Sequence, residues 1–202
     1  MNRRGRPLSL LSCGGGIARR TILAQVCLCV CLTTCHRQTD LAQGQKLPIL
    51  DVKSSDFANG GNIPPRFTCD GADVSPNLQW SAPPAGTKSL AFVMHDPDAL
   101  IDFTHWVIYS IPSGSRSLAN NATQQSTMPD GSAEGVNDFG RSGYGGPCPP
   151  GSKPHRYVFH LYALDMRLDL PAGAARKELN TAIRGHILAE GQIMGTYRRT
   201  GQ

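Results

Sequence analysis

The chain has 202 residues, 40% of them hydrophobic, with a formal charge of +5. That suits one domain with an appendage and is apolar enough for a core, which excludes a wholly disordered chain. The charge sits in residues 1–34, which hold Arg3, Arg4, Arg6, Arg19 and Arg20 and no acid; from Cys35 onward acids and bases balance, so the net basic face of a nucleic-acid binder is missing.

In chain order the first element is a leader. Arg19 and Arg20 precede an apolar run from Ile22 to Thr34. A charged start followed by about 7–15 apolar residues is the secretory signal pattern, and the run is shorter than the ~20 residues of a membrane span. Leu32-Thr33-Thr34-Cys35 resembles a bacterial lipobox, in which Cys35 becomes the lipidated first residue after cleavage. Thr34 stands where Gly, Ala or Ser is usual, so an ordinary cleaved signal is the alternative. The expected organisation is a signal peptide over 1–34, a polar linker over 35–48 and a globular domain over 49–202. The protein is expected to be exported, either periplasmic or anchored in the cell envelope, and to meet a membrane only through that anchor. Five cysteines lie in the leader, and only Cys69 and Cys148 remain in the domain. An oxidising compartment permits a bridge between them, but spacing leaves the pairing open.

Within the domain, Leu50–Val52 and Leu78–Trp80 read as short strands. Ser89–Met94 and Thr104–Ile111 are nearly continuous apolar runs, the pattern of buried strands. Arg156–Leu164 alternates, and Ile187–Tyr197 carries a final strand. One helix is expected after Pro171 and Gly173, with Leu179, Ala182 and Ile183 at helical spacing and Gly185 as its stop. Such a chain is mainly β and should form a sheet sandwich. Residues 112–154 read as one long loop rich in Gly, Ser, Asn and Pro. Loops of that length tend to be functional or disordered. The loop ends in Gly143-Tyr144-Gly145-Gly146-Pro147-Cys148-Pro149-Pro150, which reads either as a rigid surface turn or as a preformed rim.

Three pieces carry most of the chemistry: His95-Asp96-Pro97-Asp98, Thr104-His105-Trp106 and His155-Arg156-Tyr157. All three fall at strand ends, where loops can converge. A carboxylate, two imidazoles and a phenol suit a small anion, with the carboxylate holding an imidazole in its donating form. Each residue also has a plainer reading: Asp96 can simply organise an Asp-Pro turn, and Trp106 and Tyr109 suit the core. A metal triad of two His and one Asp is conceivable, but the spacing fits no strong metal signature. The chain has no G-x-S-x-G elbow, Walker sequence or dinucleotide fingerprint. No catalytic residue, metal or cofactor is therefore assigned.

Together, Asp96-Pro97-Asp98, Thr104-His105-Trp106, Gly143 to Pro150 and His155-Arg156-Tyr157 resemble the phosphatidylethanolamine-binding protein family, in its bacterial Raf-kinase-inhibitor-like branch. Cys69-Asp70-Gly71 with Asp73, Ser75 and Pro76, the run Asn137 to Gly140, and Gly195 to Arg199 fit the same branch. The resemblance implies a Greek-key β-sandwich with a few peripheral helices and a small surface pocket for phosphate or a phosphoryl head group. By motif, Asp96 and His105 would line one side, Gly146 and Pro147 the rim, and His155 and Tyr157 the remainder. These are binding groups in the family, without an agreed reaction. The alternative is an interaction or inhibitor module, a protease or kinase regulator docking through the Gly/Pro rim. A hydrolase using Asp96 with a histidine is a third reading, disfavoured by the lack of an evident activated nucleophile. Three departures bear on ligand preference: Leu100 and Asn77 each replace a usual proline, and His95 stands where a small polar or acidic residue is usual.

Overall fold

Two antiparallel sheets face each other across a core built from alternate residues of their strands. The description comes from a computed structural model and covers residues 46–122 and 130–199. The expected signal peptide, Cys35 and most of the expected linker lie outside the described residues.

The strands are β1 (Val52–Lys53), β2 (Leu78–Trp80), β3 (Ser89–Asp96), β4 (Phe103–Pro112), β5 (Ser117–Leu118), β6 (Ala133–Glu134), β7 (His155–Leu164) and β8 (Ile187–Tyr197). A single helix, α1 (Arg176–Ala182), and one turn of 3-10 helix at Pro65–Phe67 complete the described elements. The larger sheet has the order β6-β4-β3-β7-β8 and the smaller one β1-β2-β5. The fold is thus mainly β, two sheets with peripheral helical pieces.

The near-continuous apolar run of β3 has a direct cause. It is the central strand of the larger sheet, and both of its faces are covered. Leu90, Phe92 and Met94 point into the core shared with the smaller sheet, while Ala91 and Val93 pack with Leu179 and Ile183 from α1 and the residue that follows it. Tyr157, Phe159 and Leu161 of β7 join the first core, where Phe92 meets Trp106 edge-on at 5.3 Å between centroids. Burying each such side chain stabilises the fold by about 1.5–3 kcal/mol. Trp106 also donates its indole N–H to the buried Glu134 carboxylate at 2.9 Å, so β6 is tied to the sheet by a side chain as well as by its ladder.

Residues 112–154 are less bare than their composition suggests. The strands β5 and β6 lie inside this stretch, and β4 runs to Pro112 at its start. Two-residue strands among turn formers are too short to show a period, and only tertiary pairing defines them. β3 likewise runs past Met94 to Asp96, with a register shift against β4 between Met94 and His95. That irregularity carries Asp96 to the end of the sheet.

Cys69 and Cys148 are joined by a disulfide, with Cα atoms 5.4 Å apart. The link closes a separation of 79 residues and fastens the Gly/Pro loop to the turn after Phe67. Closing so long a loop restricts the unfolded chain, so replacing both cysteines by alanine should cost about 2–4 kcal/mol. Urea unfolding of the oxidised protein and the double variant should show separated midpoints; coincident midpoints would contradict this.

Candidate functional site

At the end of β3, Asp96 turns the chain with its own carboxylate. Oδ1 accepts the backbone N–H groups of Asp98 (2.9 Å) and Ala99 (3.1 Å), while Oδ2 accepts Nδ1–H of His155 (2.7 Å). Two residues on, Asp98 holds Arg156 through a guanidinium contact of 2.6 Å and a backbone N–H of 2.8 Å. The Arg156 guanidinium pulls the Asp98 carboxyl down to about 2. Alternate carboxylates of the β3–β4 loop thus clamp two successive residues at the start of β7. The clamp, with Pro97 restraining the intervening backbone, fixes where His155 stands.

His105 is set from the other side. Nδ1–H donates to the Gly145 carbonyl at 2.6 Å, and the Gly145 N–H returns to the His105 carbonyl at 3.0 Å. Its ring meets Phe103, Phe139 and Tyr157 edge-on, at 5.2, 5.3 and 5.2 Å between centroids. Burial holds this imidazole below its ordinary pKa, against the opposite pull of the Gly145 carbonyl and Asp96. Its neutral form carries the proton on Nδ1 and leaves a lone pair on Nε2.

Tyr157, two residues along β7 from His155, meets the His105 ring edge-on and is fully buried. Its hydroxyl sits near the Asp96 carboxylate and the Cys148 amide but meets neither in hydrogen-bond geometry. Burial, with Asp96 second, pushes its pKa up, so the group stays a neutral phenol and a donor. A buried hydroxyl without a partner is unusual and calls for an explanation.

Gly146 and Pro147 act through their backbones. The Gly146 N–H is bound to Asp73 Oδ1 at 2.6 Å, and the Pro147 carbonyl accepts the Cys69 N–H at 3.1 Å. A Cβ on Gly146 would fall 2.5 Å from that Asp73 oxygen and 2.6 Å from the Phe67 carbonyl, so only glycine fits. Asp73 is braced in turn by Arg141 at 3.1 Å.

His95 does not join this set. It pairs with Asp102 and stacks on His160 at 5.3 Å, and Asp102 reaches Arg176 at the start of α1. Sequence reasoning assigned no role to Asn137, Asp138, Phe103 or Phe139. Asn137 donates to the Gly143 and His105 carbonyls, Asp138 accepts the Thr104 N–H at 2.6 Å, and the two phenylalanines form an apolar wall beside His105. The Asn-Asp-Phe-Gly run was the available signal, since such a sequence favours a tight turn. A separate cleft of about 750 Å³ lies along β8, lined in part by Leu50, Phe57 and Gln192, and shares no residue with this site.

A sequence profile described as "Phosphatidylethanolamine-binding protein" matches residues 53–198, a span that includes all six site residues. A UPF0098 protein of Methanothermobacter thermautotrophicus is 48% identical over 151 residues, 74% of this chain and 99% of the relative. A Mycobacterium tuberculosis relative that bears the name lipoprotein LppC is 41% identical over 150 residues, 73% of this chain and 72% of its own. The crystal structure of Escherichia coli YbcL, titled a member of the mammalian PEBP family, superposes with a TM-score of 0.70 at 30% identity, covering 75% of this chain and 99% of YbcL.

The unpartnered hydroxyl separates stability from binding. Tyr157→Phe removes a buried polar atom without breaking a hydrogen bond, so it should leave stability unchanged or raise it by up to ~1 kcal/mol. A thermal melt of the variant checks this, and a loss above ~1 kcal/mol would mean that the hydroxyl has a structural partner.

Proposed function

The chain belongs to the phosphatidylethanolamine-binding protein family, and from that premise we propose that it is an envelope-localised binding protein for phosphate, a phosphoryl head group or a similar small anion. The observation that carries this reading is the convergence of His105, His155 and the unpartnered Tyr157 hydroxyl around Asp96. A ligand oxygen in that space would accept the phenol hydrogen that the protein leaves unused, beside the His105 ring that meets Tyr157 edge-on. Gly146 and Pro147 form the rim, and the disulfide keeps it in place. Export and lipidation at Cys35 rest on the leader pattern, with support from the name of the mycobacterial relative.

A second reading, docking of a protein partner at the rim, draws support from one feature. Leu100 and Ile101 stand fully or largely in solvent on the loop that Asp96 opens, and Phe139 is 44% exposed. Large apolar side chains left in solvent are a feature of interaction surfaces where they form a contiguous patch.

A thermal shift with phosphate and phosphoethanolamine tests the first reading. At ~100 times its dissociation constant a ligand adds about 2.7 kcal/mol of stability. The shift should vanish in His105→Ala and in His155→Ala, each still folding cooperatively. A wild-type protein unmoved by both ligands would sink the anion reading and favour the partner.

A further inference from the structure

The hydrogens of the site limit which anions it takes. His105 directs Nδ1–H at the Gly145 carbonyl, which can only accept. His155 directs Nδ1–H at the Asp96 carboxylate. In its neutral form each ring therefore has only the Nε2 lone pair to offer a ligand. The Gly146 N–H is bound to Asp73 and is not available either. Among the described side chains of the site, the Tyr157 hydroxyl is the donor left over. A set of side chains with two acceptors and one donor is a poor match for a bare oxyanion, which brings only acceptors.

Charge points the same way. The Asp96 side chain is 4% exposed and stands between His155 and Tyr157. A second full negative charge beside it would be repelled in a medium that screens poorly.

Resting on the anion-pocket reading above, we infer that the site takes its ligand with a hydrogen attached, and so selects a hydrogen-bearing phosphoryl group over a sulfate ester of the same shape. The ligand O–H donates to an imidazole Nε2, most directly that of His105, while another ligand oxygen accepts from Tyr157. The competing route protonates an imidazole instead. The charged groups facing His105 are Asp96 from β3 and Asp138 from the Asn137–Gly140 turn, with the Gly145 and Gly146 carbonyls and Tyr157 completing its surroundings. Asp98 and Arg156 stand beside His155. For His105 the desolvation that accompanies burial outweighs the acidic neighbours, so the imidazolium is the costlier route.

Methyl phosphate and methyl sulfate make a matched pair. A phosphomonoester loses its second proton at a pKa of about 6, whereas a sulfate monoester has no such hydrogen to carry. Isothermal titration of the intact protein at pH 6.5 should show methyl phosphate binding at least roughly tenfold more tightly. Its affinity should then fall by about tenfold per pH unit once the pH is well above 6, as the O–H is lost. Equal affinities, or a parallel gain by both esters as the pH falls, would overturn the inference and leave the anion reading standing. No binding of either ester to the folded protein would remove that reading and this inference together.

Discussion

The site depends on one buried carboxylate. Asp96 accepts two backbone N–H groups of its own loop and the Nδ1–H of His155, so a single side chain shapes the end of β3 and orients a residue 59 positions away. Removing it would free the loop and the ring together. The adjacent Asp98–Arg156 pair repeats the connection on the exposed side of the same junction. Exposed pairs contribute little to stability, but this one is multidentate and is reinforced by a backbone bond, which makes it a positioning device.

The opposite wall is built from backbone. The Gly/Pro loop approaches Phe67 and Thr68 so closely that no side chain fits at Gly146, and Asp73, Pro147 and the disulfide hold it there. A loop fixed at both ends loses little further entropy when a ligand arrives. Its Gly145 carbonyl is also what sets the His105 tautomer. The Gly/Pro loop and the imidazole are therefore held as one unit, and the polar character of the candidate site follows from carbonyls and carboxylates that are already in place.

Much of this was legible in the sequence, and the rest was not for physical reasons. Long strands such as Ser89–Asp96 and His155–Leu164 announce themselves because burial imposes an apolar pattern over many residues. The strands β5 and β6 are defined by their partners alone and leave no period. Asp96, His105, His155 and Tyr157 were nameable from residue type and position at strand ends, and motif resemblance placed Gly146 and Pro147 at the rim. What their order along the chain does not encode is the direction of each hydrogen. Adjacent on one strand, His95 turns toward Asp102 and Asp96 toward His155, partners that the local sequence does not name. The aromatic wall of Phe103 and Phe139 was hidden likewise, since one phenylalanine at the start of a strand and another in a turn carry no shared signature.

The tautomer of His105 is the most direct test of the account. Long-range proton–nitrogen NMR of the ligand-free protein, with His105 assigned by comparison with His105→Ala, distinguishes a protonated ring nitrogen from a bare one. At neutral pH the account predicts a proton on Nδ1 and a bare lone pair on Nε2. A proton found on Nε2 would mean that the Gly145 carbonyl does not hold the ring, and would contradict it.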